Sequence, residues 1–171
     1  MINVIVKRRE GNDFVNFGTL FIPSYSFKCV TMELPYRSGT FKYDCCLADG
    51  SYDLSFGYAE GSPMFPFIKR RPKGYPMKPG FTTLNLHYQQ LNTGFIAVGT
   101  GKDTYQSLRT TDEFKERFKQ VFRDIFTNRD EIVTLVVRKA LNYEYKPIEE
   151  EDWMRSDNNF IDESNDWNDE E

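Results

Sequence analysis

Short apolar runs and turn-forming residues alternate along the first hundred residues of the chain. Ile2, Val4 and Val6 alternate with positions that can face outward, which indicates a strand with one buried face. Five further runs rich in β-branched and aromatic residues predict strands: 14–22, 27–34, 51–58, 83–87 and 95–98. Turn signals such as Gly11-Asn12-Asp13, and a segment holding five prolines between Pro63 and Pro79, separate them. This spacing differs from a βαβ rhythm and predicts a mostly antiparallel sheet.

One amphipathic helix is predicted after the strands, over residues 111–127. Thr110 and Glu113 have the spacing of a capping box. Six apolar residues then fall on one face at helical spacing, which is more typical of a core face than of a cofactor site: Phe114, Phe118, Val121, Phe122, Ile125 and Phe126. The apolar run at 132–137 predicts a buried strand that returns to the sheet.

These elements predict a mainly β fold of the β-rich α+β kind. We expect an antiparallel, barrel- or sandwich-like body over residues 1–146 with one packed helix, followed by an extended acidic tail over 147–171. The 27 aromatic residues among 171 argue for a folded body. No apolar run approaches the roughly 18 residues of a membrane helix, and the first residues lack a signal-peptide pattern. We therefore expect a soluble chain without a membrane partner.

The formal charge of −4 conceals two oppositely charged parts. Residues 149–171 hold eleven acids and one base, Arg155, whereas the remaining residues hold 15 acids and 21 bases. Such a division suggests that the tail pairs with positive charge on its own body or on a neighbouring subunit. The alternative is a solubilising tail. Against it, the tail carries apolar residues suited to binding a partner: Trp153, Met154, Phe160, Ile161 and Trp167.

A basic loop is predicted in the proline-rich segment. Its five bases have no acid between them: Lys69, Arg70, Arg71, Lys73 and Lys78. The loop could bind phosphates or an acidic partner, or it could simply be solvated. Nucleic acid is the less expected partner because the acidic tail would oppose it.

The cysteines indicate ordinary buried thiols in a reducing compartment. Cys29, Cys45 and Cys46 are odd in number, and the adjacent pair would bridge only with strain. The chain has one histidine, His87, and no pair of ligands at zinc-binding spacing. We therefore predict neither a metal site nor a cofactor.

Five short motifs follow one another between the first strands and the helix. They are Leu47-Ala48-Asp49-Gly50-Ser51-Tyr52, Ser62-Pro63-Met64-Phe65, Pro79-Gly80-Phe81, Leu84-Asn85-Leu86-His87 and Gly94-Phe95-Ile96-Ala97-Val98-Gly99. In this order they resemble an uncharacterised domain family of phage and bacterial genomes, whose pattern runs I-P-A-G-x-Y, S-P-R-F, P-G-F, I-x-I-H-x-G-N and G-C-I-x-V-G. The resemblance covers roughly residues 17 to 137. The histidine followed by Gly-Cys is in turn similar to the L,D-transpeptidases of peptidoglycan, which implies a cysteine nucleophile beside a histidine base.

The chain departs from that pattern where the chemistry would occur. Phe95 occupies the nucleophile position, and a phenyl ring can neither attack a carbonyl nor coordinate a metal. Met64 replaces the arginine of S-P-R-F, and the segment between the histidine and the nucleophile position is shortened. No spacing argument brings Cys45 or Cys46 to His87. We therefore predict a degenerate site without catalytic residues, in which His87 is a hydrogen-bonded residue on a strand.

Together these features predict a non-enzymatic assembly protein. The resemblance implies a phage particle, in which the domain would serve as a ring, neck or tail component made in the host cytoplasm. Its partners would be other virion proteins and copies of itself, bound through the C-terminal tail. The alternative is an enzyme or cell-wall-binding protein that acts on peptidoglycan and is related to L,D-transpeptidases.

Overall fold

The computed structural model describes residues 1–37, 44–59, 62–83, 87–127 and 130–147. Within these ranges the chain forms ten strands and one α-helix: β1 Ile2–Gly11, β2 Asn16–Ile22, β3 Phe27–Glu33, β4 Gly50–Ala59, β5 Ser62–Ile68, β6 Phe81–Thr82, β7 Ile96–Gly99, β8 Gly101–Thr104, β9 Ser107–Arg109, α1 Asp112–Thr127 and β10 Val133–Tyr145. Two 3-10 turns, Pro23–Tyr25 and Tyr88–Gln90, complete the described structure.

Eight of these strands form a nearly closed, barrel-like sheet, as the sequence predicts. The strand order is β5-β4-β10-β1-β2-β3-β7-β6. The two outer strands approach each other where Phe67 bridges to Gly80 and the Ile68 amide donates to the Pro79 carbonyl at 2.9 Å. The β1–β10 and β6–β7 pairs are parallel, and the other pairs in the sheet are antiparallel. The predicted fold class is therefore confirmed.

The apolar face of α1 packs on the barrel core. Phe118 and Phe122 are fully buried. The ring of Phe118 lies about 6 Å from those of Phe27 and Phe65, which belong to β3 and β5. The predicted helix and its buried face are thus confirmed.

The helix begins one residue later than a Thr110–Glu113 capping box would place it. The Thr111 hydroxyl accepts the backbone N–H of Phe114 at 3.1 Å. Thr111 is therefore the N-cap, three residues before Phe114, and the predicted capping box is wrong.

Strand β5 was not expected, because Pro63 and Pro66 lie within it. Proline lacks the amide donor of a central strand, but it is tolerated in an outer strand. β5 has that position, since it pairs along its length with β4 alone. The predicted strand at 83–87 is wrong at its start, because β6 spans Phe81–Thr82 and ends before Thr83; residues 84–86 lie outside the described residues.

A second, smaller core lies on the outer face of β2, β3 and β7. Phe17, Val30 and Met32 are buried there, and Leu108 of the unpredicted β8–β9 hairpin packs over them together with Leu91. Because this hairpin covers the sheet, residues on both faces of β3 are buried.

Candidate functional site

The barrel interior changes from apolar to polar along the strands. In β1, the inward positions Val4 and Val6 are followed by Arg8, and in β3 the inward Phe27 and Cys29 lead to Glu33. Both charged side chains are completely buried. The barrel therefore holds an ion pair at the end opposite the start of β3.

Arg8 uses all five of its N–H donors. Its Nε and Nη2 donate to the two carboxylate oxygens of Glu33 at 2.9 and 2.7 Å. Nη2 also donates to the Leu47 carbonyl at 2.7 Å, and Nη1 donates to Tyr36 Oη at 3.0 Å and to Asp49 Oδ1 at 2.7 Å. A guanidinium has no further donor to offer a ligand. Arg8 thus fixes the segment after β3 to the barrel and is not an anion-binding residue.

Electrostatics favour a permanently charged Arg8 in this setting. Burial alone would lower the pKa of Arg8, but the adjacent Glu33 carboxylate outweighs it, so that the pKa is raised above its ordinary value. The pKa of Tyr36 is also raised, mainly by burial. The phenol is therefore neutral and can donate to Asp49 Oδ1, at 3.0 Å.

A bulge brings a further tyrosine to the polar end. The registers of β1 with both β2 and β10 shift between Arg8 and Glu10. Beyond this shift the Tyr143 hydroxyl donates to Asn16 Oδ1 at 2.8 Å. A Cβ at Gly11 would collide with that hydroxyl, so the close approach requires glycine.

His87 has a local structural role. It precedes the 3-10 turn Tyr88–Gln90, where its Nδ1 accepts the Gln89 amide at 3.4 Å. Its proton is then assigned to Nε2, which lies 2.9 Å from Gln106 Oε1. Both ring nitrogens therefore have hydrogen-bond partners, as expected. The predicted position on a strand is wrong, because His87 caps a turn and forms only an isolated bridge to Ser107.

Phe95 lies immediately before β7 and is half-buried. Its amide donates to the Asn92 carbonyl at 3.0 Å. The preceding Gly94 has φ of 81°, and a Cβ there would lie 2.9 Å from Pro79 Cγ. Glycine is thus required at this tight turn, while the residue after it carries no reactive group.

The three cysteines are buried, as the sequence predicts. The Gly94 amide donates to the Cys45 carbonyl at 2.8 Å, so the fold brings the cysteine segment beside Phe95, a contact that spacing alone did not indicate. Burial, reinforced by the Glu33 carboxylate, raises the pKa of Cys46 to about 12. The thiol is therefore protonated at neutral pH, whereas a nucleophile requires the thiolate.

The predicted basic loop connects β5 to β6 and has a fixed anchor. Tyr75 is buried, and its hydroxyl donates to the Cys46 carbonyl at 3.0 Å and accepts the Ala48 amide at 2.8 Å. The basic residues of the loop are exposed around this anchor: Lys69, Arg70, Arg71, Lys73 and Lys78. In the described ranges, none of these five forms an ion pair with an acid.

The predicted partner-binding residues of the tail lie outside the described residues: Trp153, Met154, Phe160, Ile161 and Trp167. Among the residues that the structure does describe, no group of three or more His, Cys, Asp or Glu side chains could hold a metal ion. In the same ranges, no helix is long and apolar enough to cross a membrane.

Comparisons of the chain with models of protein families, with curated proteins and with solved structures each give no match.

Proposed function

We propose that this protein is a non-enzymatic assembly component whose acidic tail binds neighbouring subunits. The observation that carries the proposal is the basic loop over 69–78, which is anchored by Tyr75 and presents five exposed bases without a partner acid among the described residues. The motif resemblance supports a phage particle as the setting, in which we propose that the protein is a ring, neck or tail component.

The anchoring of the loop favours a binding surface over a solvated loop. Tyr75 connects it to the segment that Arg8 holds, and the Lys69 amide donates to the Asp53 carbonyl of β4 at 2.9 Å. Arg71 Nη1 donates to the Tyr75 carbonyl at 3.1 Å, which fixes the loop from within. Bases held on such a frame lose little conformational entropy when a partner binds.

Charge complementarity indicates the tail as the partner of this loop. Residues 149–171 carry a net charge of −10, whereas the rest of the chain carries +6. Exposed ion pairs contribute only about 0 to 1 kcal/mol each, so charge would orient the tail. The large aromatic residues Trp153, Phe160 and Trp167 would supply most of the binding energy.

The contacts around the degenerate site support a function without acyl transfer. Phe95 provides no nucleophile, the Cys46 thiol is protonated, and His87 caps a turn. Peptidoglycan chemistry would need a thiolate beside a free imidazole nitrogen.

The proposal is tested by native mass spectrometry and light scattering on the full chain. We expect the full chain to form assemblies that are lost when residues 149–171 are deleted. Lys69→Gln, Arg70→Gln and Lys73→Gln together should weaken assembly and reduce its dependence on salt. A matched control, Arg109→Gln, Arg123→Gln and Arg138→Gln, removes three exposed charges from other surfaces and should assemble normally.

Two results would overturn the proposal. A full chain that stays monomeric at all accessible concentrations would exclude assembly between copies. Assemblies that persist without the tail would exclude the tail as their connector.

A further inference from the structure

A pocket of about 290 Å³ lies between the tip of the β1–β2 hairpin, the segment after β3 and the turn that follows His87. Its walls include Phe14, Leu34, Tyr88 and Leu91. The rings of Phe14 and Tyr88 are 5.1 Å apart and inclined at 49°. A cavity of this size with both apolar and polar groups in its wall suits a single aromatic group that carries a hydrogen-bond donor.

Three charged residues stand at the rim of the pocket: Asp13, Arg37 and Asp44. Asp44 is exposed and has a left-handed backbone with φ of 51°. Its amide is fixed by Thr93 Oγ1 at 2.9 Å. The rim therefore offers two carboxylate acceptors and one guanidinium donor beside the apolar side chains of the wall.

The tail leaves the folded body beside this pocket. The hydroxyl of Tyr145, the last residue of β10, donates to the Asp13 carboxylate, and the Lys146 amide donates to the Gly11 carbonyl at 2.7 Å. Trp153 follows eight residues after Tyr145. At about 3.4 Å per extended residue, eight residues can span up to about 27 Å. The chain between them is thus long enough to return to the pocket.

We infer that the indole of Trp153 occupies this pocket of its own chain in the free protein. An indole needs apolar contact for its ring and an acceptor for its N–H, and the pocket provides both. The inference rests on the proposed function, in which the aromatic residues of the tail supply most of its binding energy. During assembly the tail of a neighbour could fill the same pocket, as in domain swapping.

Charge selects Trp153 over Trp167. Arg155, the only base among residues 149–171, lies two residues after Trp153 and can pair with a rim carboxylate. One of the four consecutive acids before Trp153 can pair with Arg37. Trp167 has acids on both sides and no base nearby, so the two rim carboxylates would repel its flanking residues.

Intrinsic fluorescence tests the inference because both tryptophans of the chain lie in the tail. In the full chain with Trp167→Phe, Trp153 is the sole emitter. We expect emission at shorter wavelength than in the urea-unfolded chain and acrylamide quenching that is several-fold weaker. Both should be independent of protein concentration, since docking within one chain depends on the effective concentration that the linker sets.

Two pocket variants in the Trp167→Phe background make the test specific. Phe14→Ala should move the emission and quenching towards those of the unfolded chain. Phe21→Ala is the matched control, because Phe21 is half-buried on the same hairpin and does not line the pocket. Asp44→Asn, which keeps a residue that tolerates the left-handed backbone, should strengthen quenching without affecting the fold.

Water-exposed emission in the Trp167→Phe chain would overturn the inference, as would equal responses to Phe14→Ala and Phe21→Ala. Emission that moves to shorter wavelength only as the concentration rises would place the indole in a second copy and overturn the assignment to its own chain. These outcomes are separate from those of the tail deletion. Tail-dependent assembly with an exposed Trp153 would refute the pocket and leave the proposed function standing.

Discussion

The buried Arg8–Glu33 pair gives the sharpest prediction for stability. We consider Arg8→Met, Glu33→Met and the double variant, because methionine is a straight apolar chain of comparable length. Both native side chains are completely buried. Removing one partner of such a pair leaves an uncompensated charge in the protein interior, which typically costs about 3 to 5 kcal/mol.

The contacts predict an order among the three variants. Glu33 has Arg8 as its side-chain partner in the described part of the chain, so Arg8→Met leaves the carboxylate unpaired. Arg8 without Glu33 still has Asp49 at 2.7 Å and the Leu47 carbonyl at 2.7 Å. Arg8→Met should therefore lower the free energy of unfolding by about 3 to 5 kcal/mol, and Glu33→Met by less. The double variant should be more stable than Arg8→Met, since no isolated charge remains.

Urea denaturation followed by circular dichroism measures all three values at constant pH. The coupling free energy from the double-mutant cycle isolates the pair. A loss below about 1 kcal/mol for Arg8→Met, or a double variant less stable than Arg8→Met, would refute the reasoning, since either result would mean that Glu33 is not stranded by removal of the arginine.

Three further predictions follow from burial and chemistry. Phe118→Ala should cost about 3 to 5 kcal/mol in urea denaturation and the half-buried Val121→Ala less; a loss below about 1 kcal/mol for Phe118→Ala would contradict the packing of α1. The pKa of Cys46 rises on folding from 9.0 to about 12, so its contribution to stability is present below pH 9 and is lost as the pH rises towards 12. The urea concentration at half-unfolding should therefore fall less between pH 9 and 12 in Cys46→Ala than in the native chain. An identical fall in both would contradict the raised pKa. Purified protein should not cleave or cross-link peptidoglycan fragments, and His87→Ala should affect stability alone; turnover that depends on a cysteine would refute this.

Local patterns predicted the elements whose faces differ in polarity. The alternation at Ile2, Val4 and Val6 gave a correct inward face for β1, and the aromatic stripe gave the buried face of α1. Local patterns failed where topology decides. Pro66 indicates a break in the strand pattern, yet β5 tolerates this proline because it is an edge strand of the sheet.

The polar end of the barrel could not be found from spacing. Arg8 and Glu33 are 25 residues apart and meet only because β1, β2 and β3 pair in register. Period-two alternation does place each of them on an inward face, after Val6 and after Cys29 respectively. Two inward positions on nearby strands, each occupied by a charged residue of opposite sign, are therefore the sequence signal for this buried ion pair. The site prediction made from the sequence did not use it.

One buried arginine supports both surfaces that the proposals use. Through Leu47 and Asp49, Arg8 holds the segment to which Tyr75 anchors the basic loop. Asp44, three residues before Leu47 in the same segment, lies on the rim of the pocket. All five N–H donors of Arg8 are used, so breaking any of these contacts would leave a buried donor unpaired, which is costly. We therefore expect the basic loop and the pocket rim to keep their positions relative to the barrel. The polar interior is therefore the frame for the two surfaces that we propose as binding surfaces, and the bases and aromatic side chains that it positions are the groups that we expect to meet a partner.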